Sequence, residues 1–371
     1  MRILCLSYEY PPLGGGGSAV CQGLSNALAQ CGHQVDIVTS GSRKLPAHER
    51  HNGVNIYRVK CIRRNRIHTN ALELSTVLYP MYAKSRELIS RKSYDINHTH
   101  FIIPTGIVSH WLNLRTGLPY IITAHGSDIP GYNEDRFQFE HKLVGPYWRR
   151  IVKKSRAIIS PSRALKEMIK KRIDAPVSVI PNGYEPMETR RDFGQKENIV
   201  LVVTRIFERK GVQYLIEAIR EMTTDWEFVI VGDGPYLPVL KKLALSVKPR
   251  VRFTGYISGS PLRELYERAK IFVFPSTMEN FPVVLIEALD AGCAIVTTRD
   301  KGCSEVVGCA GLKVKPRSPG QIRDALVYLM ENEKAAENLS MMAEERVAEL
   351  SWPRIARQTE NLMETMLKCY P

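Results

Sequence analysis

Residues 271–288 read IFVFPSTMENFPVVLIEA. Ile271–Ser276 is an apolar run of strand length, and a helical pattern starts after Pro282. Pro282 suits the first helical position, where a missing N–H costs nothing. Glu279 then stands just before a helix N-terminus, beside backbone N–H groups that favour anions. Glu287 falls about a turn and a half into the helix, on a face able to reach the same ligand. A nucleotide sugar fits such an arrangement. Its diphosphate would meet the helix end, where the N–H groups of Asn280 and Phe281 can hold phosphate or sugar, its sugar Glu279, and its ribose hydroxyls Glu287. The plain alternative is a helix-start carboxylate and an exposed helix residue.

Strand–turn–helix units of this kind recur along the whole chain, which predicts parallel sheets covered on both faces. In the first half the strand candidates are 2–7, 35–39, 54–60, 95–100, 120–124, 157–161 and 177–180. The first helix is expected over 18–30, stopped by Cys31-Gly32. The second half restarts at 199–204 and continues with strands 228–231, 251–254, 271–274, 294–297 and 312–314. Helices are expected at 212–222, 237–247, 261–269 and 283–291, and the remainder reads as helical. Residues 185–197 lack apolar periodicity and carry charge and breakers, so they read as a linker. The division is then 1–184, linker 185–197, 198–352, and a last amphipathic helix over 353–371.

Composition places few other constraints. The chain has 371 residues, 44% apolar and 24% charged, a globular balance long enough for two domains. The first residues form a strand pattern rather than a signal peptide, and no stretch approaches the roughly 20 apolar residues of a membrane span. A cytoplasmic protein is expected. Eight scattered cysteines form no Cys-x-x-Cys pair or zinc spacing and read as reduced. The net charge of +14 is lopsided: residues 1–185 hold 26 Lys+Arg against 13 Asp+Glu, and residues 186–371 hold 26 against 25. The excess gathers in 58–66 and between Lys142 and Arg172. A basic half suggests a polyanionic partner, such as an anionic membrane surface or a phosphorylated acceptor. No nucleic-acid-binding motif accompanies the charge, so nucleic acid is not expected.

Other residues point into the same crevice. Arg205 ends a strand and Lys210 precedes a helix, and two such cations neutralise a diphosphate leaving group without metal. No Asp-x-Asp metal motif is present, and neither metal nor cofactor is expected. Gly14-Gly15-Gly16-Gly17 opens the first helix, where backbone can approach a ligand closely. The same run also matches a dinucleotide fingerprint, although Tyr8–Leu13 intervene after the strand and no acidic residue ends the second strand. His125 ends strand 120–124 before a glycine, with Asp128 nearby to assist or cap.

The Glu279–Glu287 spacing resembles the Glu-x7-Glu signature of the retaining family-4 glycosyltransferases. These have the GT-B fold, two doubly wound Rossmann-like domains facing across a cleft, with a last helix crossing back to the first domain. The chain departs from the family form in having Pro282 where glycine is usual. The resemblance implies further roles. Arg205 and Lys210 would be the phosphate pair, Gly15 and Gly16 part of the loop near the donor, and His125 the histidine near the anomeric carbon. Tyr256 follows a strand end where the family holds the base. Ser160-Pro161-Ser162, Pro181-Asn182-Gly183, Gly232–Pro235 and Glu305 are also family-like, and Ser162 reads equally well as a helix cap. The implied activity moves a hexose from a UDP- or GDP-sugar to a glycan or lipid-linked acceptor, with retention. An NAD-dependent oxidoreductase, a sugar-nucleotide epimerase and a silent binding module remain as alternatives.

Overall fold

A computed structural model describes residues 1–65, 69–132, 138–186 and 190–369, with side chains from 145 onward in the helix that starts at 138. Arg66 and the side chain of Lys142, both named above for their charge, lie outside the described residues. The chain divides into two units, 1–183 with 352–371, and 184–351.

The first unit is built on β1 (Arg2–Ser7), α1 (Gly16–Gln30), β2 (Gln34–Ser40), β3 (His48–His51), β4 (Val54–Val59), α2 (Ala71–Thr76), α3 (Leu78–Arg91) and β5 (Ile96–His100). It continues with α4 (Thr105–Thr116), β6 (Tyr120–Thr123), α5 (Gln138–Lys154), β7 (Ala157–Ser160), α6 (Arg163–Lys170) and β8 (Val177–Val179). The strands form one sheet in the order β3-β4-β2-β1-β5-β6-β7-β8. All neighbours are parallel except β3 and β4, which pair antiparallel. Strand β3 was not expected: His48-Glu49-Arg50-His51 has no apolar alternation because it is a largely exposed edge. The inner strands are buried throughout, as sheets covered on both faces require.

The second unit comprises β9 (Glu197–Val203), α7 (Val212–Ile219), β10 (Glu227–Val231), α8 (Leu237–Ala244), β11 (Val251–Gly255), α9 (Ser260–Arg268) and β12 (Ala269–Phe274). Then follow α10 (Val283–Asp290), β13 (Ala294–Thr298), α11 (Lys301–Val307), β14 (Gly311–Val314), α12 (Pro319–Glu331) and α13 (Glu333–Glu349). Its sheet runs β11-β10-β9-β12-β13-β14, all parallel. Two apolar layers fill it, one on each face of the sheet. The last helix, α14 (Trp352–Cys369), belongs to the first unit and packs on α1. Trp352 seats its indole where side chains at Gly23 and Gly183 would stand.

Three expectations need correction. The described part of 185–197 is no free linker, because it clusters with the second unit and buries Phe193 in its core. Helix α1 begins at Gly16, two residues before the expected Ser18, and Gly15 is its cap. Pro282 is the N-cap of α10 rather than its first helical residue, with an extended ψ of 113°.

Candidate functional site

The second unit's sheet order assembles one half of the site. The chain leaves β9 toward β10 on one side and returns to β12 on the other, so loops 204–211 and 275–282 emerge side by side. That reversal is where open α/β sheets bind ligands. Gly211, at φ +71°, joins the two loops: a Cβ there would lie 2.1 Å from the Pro275 carbonyl oxygen. The Thr277 N–H donates to the Arg209 carbonyl at 2.9 Å, and the Thr277 hydroxyl does so at 3.0 Å.

This juxtaposition pairs the Lys210 Nζ with the Glu279 Oε1, both nearly buried. The ammonium also lies 5.6 Å from the Phe274 ring centre. Burial pushes the lysine pKa down, against the upward pull of Glu279. Ser276 Oγ donates to the same carboxylate oxygen at 2.7 Å. The Glu279 N–H donates to Asp300 Oδ2 at 3.0 Å, and Asp300 also caps α11 through the Gly302 N–H at 3.1 Å. Gly302 admits the loop closely, since a Cβ there would stand 2.2 Å from the Glu279 carbonyl oxygen. Arg205 is exposed at the end of β9. The Gly232–Pro235 turn shapes that end, where a Cβ on Gly232 would lie 1.8 Å from the Thr204 carbonyl. The result is a fixed charged pair beyond the end of β9, with one carboxylate holding Lys210 in place.

Glu287 has different partners. Its Oε2 accepts from the Tyr266 hydroxyl at 2.8 Å, and burial raises its pKa against that hydrogen bond. Asn280 and Phe281 are nearly buried, and the Phe281 ring belongs to the core. Tyr256 follows the edge strand β11, two strands from β9, and is 73% exposed. The structure does not bring it to the Lys210–Glu279 pair. The Glu305 carbonyl accepts from Arg346 at 2.5 Å.

In the first unit β1 lies between β2 and β5, so the loops after β1 and β5 again diverge from neighbouring strands. His125 follows β6. Its N–H donates to Asp128 Oδ1 at 3.0 Å, while Asp128 Oδ2 accepts the Ile102 N–H at 2.8 Å. Asp128 therefore ties the β5 and β6 loops together. His125 Nε2 lies 3.1 Å from His100 Nδ1, and its ring packs 4.2 Å from Phe101. His98 hydrogen-bonds the Thr123 hydroxyl at 2.8 Å. Burial holds His98 at about 4 and His125 at about 3, the latter with help from His98. His100 is pushed well below its ordinary value by burial. His125 is thus a neutral hydrogen-bonding group. Among the described residues, Cys5, Cys21 and His100 are the one group whose ligand atoms cluster closely enough, within 4.8 Å, to approach a metal. His98, His100 and Phe101 were missed by sequence reasoning. Phe101, at φ +71°, left no signal there.

The glycine run holds a carboxylate of the protein itself. Glu9 accepts from the backbone N–H groups of Gly15 and Ser18 at the start of α1, and burial raises it to about 7 against the pull of Arg63. A Cβ on Gly14, at φ +104°, would lie 2.6 Å from Glu9. Gly15 and Gly16 have open space where side chains would stand. Ser162 caps α6 by accepting the Leu165 N–H at 3.1 Å.

Known proteins share this architecture. The model described as Glycosyltransferase Family 4 matches residues 14–188, and that described as Glycosyl transferases group 1 matches residues 185–346. An uncharacterized glycosyltransferase of Methanocaldococcus jannaschii is 30% identical over 99% of each chain. Sucrose-phosphate synthase from Thermosynechococcus elongatus superposes with a TM-score of 0.82 over 99% of each chain, at 23% identity. Anabaena HepE, solved in complex with UDP-glucose, superposes at 0.73 over 98% of this chain and 100% of its own, at 17% identity. The chain belongs to the family-4 glycosyltransferases and has the GT-B fold.

Proposed function

We propose that this glycosyltransferase moves a hexose from a UDP- or GDP-sugar to a glycan or lipid-linked acceptor, with retention of configuration. The observation that carries the donor reading is the buried Lys210–Glu279 pair at the point where the second sheet reverses direction. The leaving diphosphate draws on Lys210 and Arg205, whose charge is in place before the bond breaks. These cations supply what a metal would otherwise supply, and no cofactor is invoked. The backbone at Asn280 and Phe281 borders the phosphates or sugar. Glu279 serves two ends, fixing Lys210 and accepting from sugar hydroxyls. Glu287, oriented by Tyr266, accepts from the ribose. His125, neutral and hydrogen-bonded, orients the sugar near its anomeric carbon. Gly15 and Gly16 leave room for the donor at the first unit, and Tyr256 is assigned to the base. The HepE complex with UDP-glucose supports a sugar nucleotide as donor.

The oxidoreductase alternative loses its footing. Glu9 already occupies the start of α1, and Asp36 is engaged by Lys92 at 2.8 Å and by Asn55 at 2.7 Å. For the acceptor, the basic first half supports an anionic partner, with peripheral contact to an anionic membrane. Among the described residues no helix is long and apolar enough to cross a membrane.

A thermal-shift panel with UDP, GDP, ADP and NAD, without added metal, tests the donor. A ligand at 100 times its Kd adds about 2.7 kcal/mol of stability. Stabilisation by UDP or GDP, reduced in Glu287→Ala, is the expected result. Stabilisation by NAD alone overturns the reading. Conversion of the sugar nucleotide without acceptor would point to an epimerase.

A further inference from the structure

The core of the first unit brings two thiols and an imidazole together from three separate elements. Cys5 lies on β1, Cys21 on α1 and His100 at the end of β5. Strands β1 and β5 pair so that Cys5 stands opposite His98. Side chains alternate between the faces of a sheet, so His100, two residues on, shares that face with Cys5. The His98 and His100 rings accordingly pack 4.7 Å apart. Helix α1 packs on the same core and adds Cys21 to it. All three side chains are buried. The Cys5 and Cys21 sulfurs are 3.7 Å apart, and a ring nitrogen of His100 completes a group whose ligand atoms all lie within 4.8 Å of one another.

Two observations set this group apart from ordinary packing. One is the unpaired nitrogen of His100. Its Nδ1 meets His125 Nε2 at 3.1 Å, whereas its Nε2 is buried and has no hydrogen-bond partner among the described residues. An unpaired buried polar atom is costly, and native proteins give nearly all such atoms a partner, water or an ion. The other is the sulfur spacing. Two thiolates bound tetrahedrally to zinc, each about 2.3 Å from the metal, stand about 3.8 Å apart. The sulfurs already have that separation, whereas a disulfide requires them to close to about 2.05 Å. Charge points the same way. Burial pushes the Cys21 thiol well up, so thiolates need a cation beside them to persist there. Burial holds His100 neutral, which is the form that ligates metal.

We propose that Cys5, Cys21 and Nε2 of His100 form a site for one zinc ion, with a solvent molecule as fourth ligand. Two cysteines and one histidine are an open zinc ligand set. Two thiolates, a neutral imidazole and a dication sum to zero charge, as a buried site requires. Binding sends the two thiol protons to solvent. No local spacing announces the site, because Cys5 and Cys21 are 16 residues apart and His100 comes from a third element. The ion ties β1, α1 and β5 together. Zinc on Nε2 leaves the His100 proton on Nδ1, which then donates to His125 Nε2. His125 in turn carries its own proton on Nδ1. The ion thus sets the tautomer of the histidine placed beside the sugar above, and only this last consequence rests on the glycosyltransfer reading.

The test uses the full chain, produced in minimal medium supplemented with zinc(II) or cobalt(II) and purified under reductant without chelator. Elemental mass spectrometry should find about one metal per chain. The cobalt-loaded protein should show thiolate-to-cobalt charge-transfer absorption that the zinc-loaded protein lacks. Cys5→Ser and Cys21→Ser should each remove most of the bound metal and of the band. Cys31→Ser with Cys309→Ser, both at exposed positions, should leave them unchanged. A second measurement needs no variant: thiol alkylation in mild urea, read by peptide. Zinc should slow alkylation of Cys5 and Cys21 together by roughly tenfold or more relative to chelator-treated protein, because it binds only the folded site. Cys31 and Cys309 should react at unchanged rates. Metal well below one per chain, a band that survives in both single variants, or alkylation that zinc does not slow overturns the proposal. A Cys5–Cys21 disulfide in place of bound metal does so as well. Stabilisation by UDP or GDP is read separately and bears on the donor reading alone.

Discussion

Lys210 and Glu279 share a hydrogen bond at a nearly buried position, so removing either one leaves an unpaired charge away from water. Such a loss costs about 3–5 kcal/mol, whereas replacing both partners by apolar groups is far milder. Lys210→Met should therefore lower stability by that amount, and Lys210→Met with Glu279→Met by much less. Urea denaturation midpoints check this, and equal losses in the single and double variants would count against the pair. Glu9 gives a pH-dependent counterpart. Its folded pKa of about 7 lies above the ordinary 4.5, so the folded state holds the extra proton between those values. Stability from this group is full below 4.5 and is lost as pH rises through 7. Glu9→Gln should gain on the parent as pH rises from about 5 to about 8, by up to about 3 kcal/mol. Denaturation curves at both pH values test it, and a pH-independent difference would show that Glu9 ionises freely. Sequence reasoning picked out Glu279, Glu287, Arg205, Lys210 and His125 as candidates because each lies at a strand end or a fixed spacing, and the structure brings Lys210 and Glu279 into contact. It did not reveal Glu9, Ser276 or Asp300. Their roles depend on which loops meet, and no local pattern encodes that meeting.

Elements are positioned here by what their ends lack. Helix α11 starts against the loop that carries Glu279, and Gly302 in its first turn is the point of approach. A Cβ there would stand 2.2 Å from one backbone oxygen and 2.6 Å from the next. Neither oxygen belongs to a flexible side chain, so the loop or the helix has to move. Gly302→Ala should cost roughly 1–3 kcal/mol, as overpacking does. It should also displace the Asp300–Glu279 hydrogen bond and weaken nucleotide binding. Melting temperature and UDP or GDP affinity measured together check this, and an unchanged affinity would place the loop outside the donor site. Strand and helix existence was readable from apolar runs, as 269–274 and 283–290 illustrate. Gly16 and Gly17 have low helix propensity, yet they are helical where the buried Glu9 carboxylate faces the start of α1. Strand β3 forms on an exposed edge where pairing, rather than burial, selects the sequence.

For the whole molecule, the doubly wound class was legible because both halves alternate strand and helix. The strand order was not, since periodicity says nothing about which strands become neighbours. Order decides which loops meet: β9 beside β12 brings Lys210 to Glu279, and β5 beside β6 brings His100 to His125. The last helix shows the same dependence on long-range contact. Although it comes last in sequence, α14 buries Trp352, Ile355, Ala356 and Met363 in the core of the first unit. Each large apolar side chain so buried contributes about 1.5–3 kcal/mol. Together they approach the whole stability of an ordinary domain, about 5–15 kcal/mol. The second unit has two apolar cores of its own and includes no residue of α14. A chain ending at Ser351 should therefore lose the first unit's fold and keep the second's. Hydrogen exchange read by peptide should show protection lost in β1, β2 and β5–β8 and retained in β9–β14. Trp352→Ala should move the same way to a smaller extent, with faster exchange confined to the first unit. Equal protection in both units of the truncated chain would mean that α14 contributes little to the core it enters.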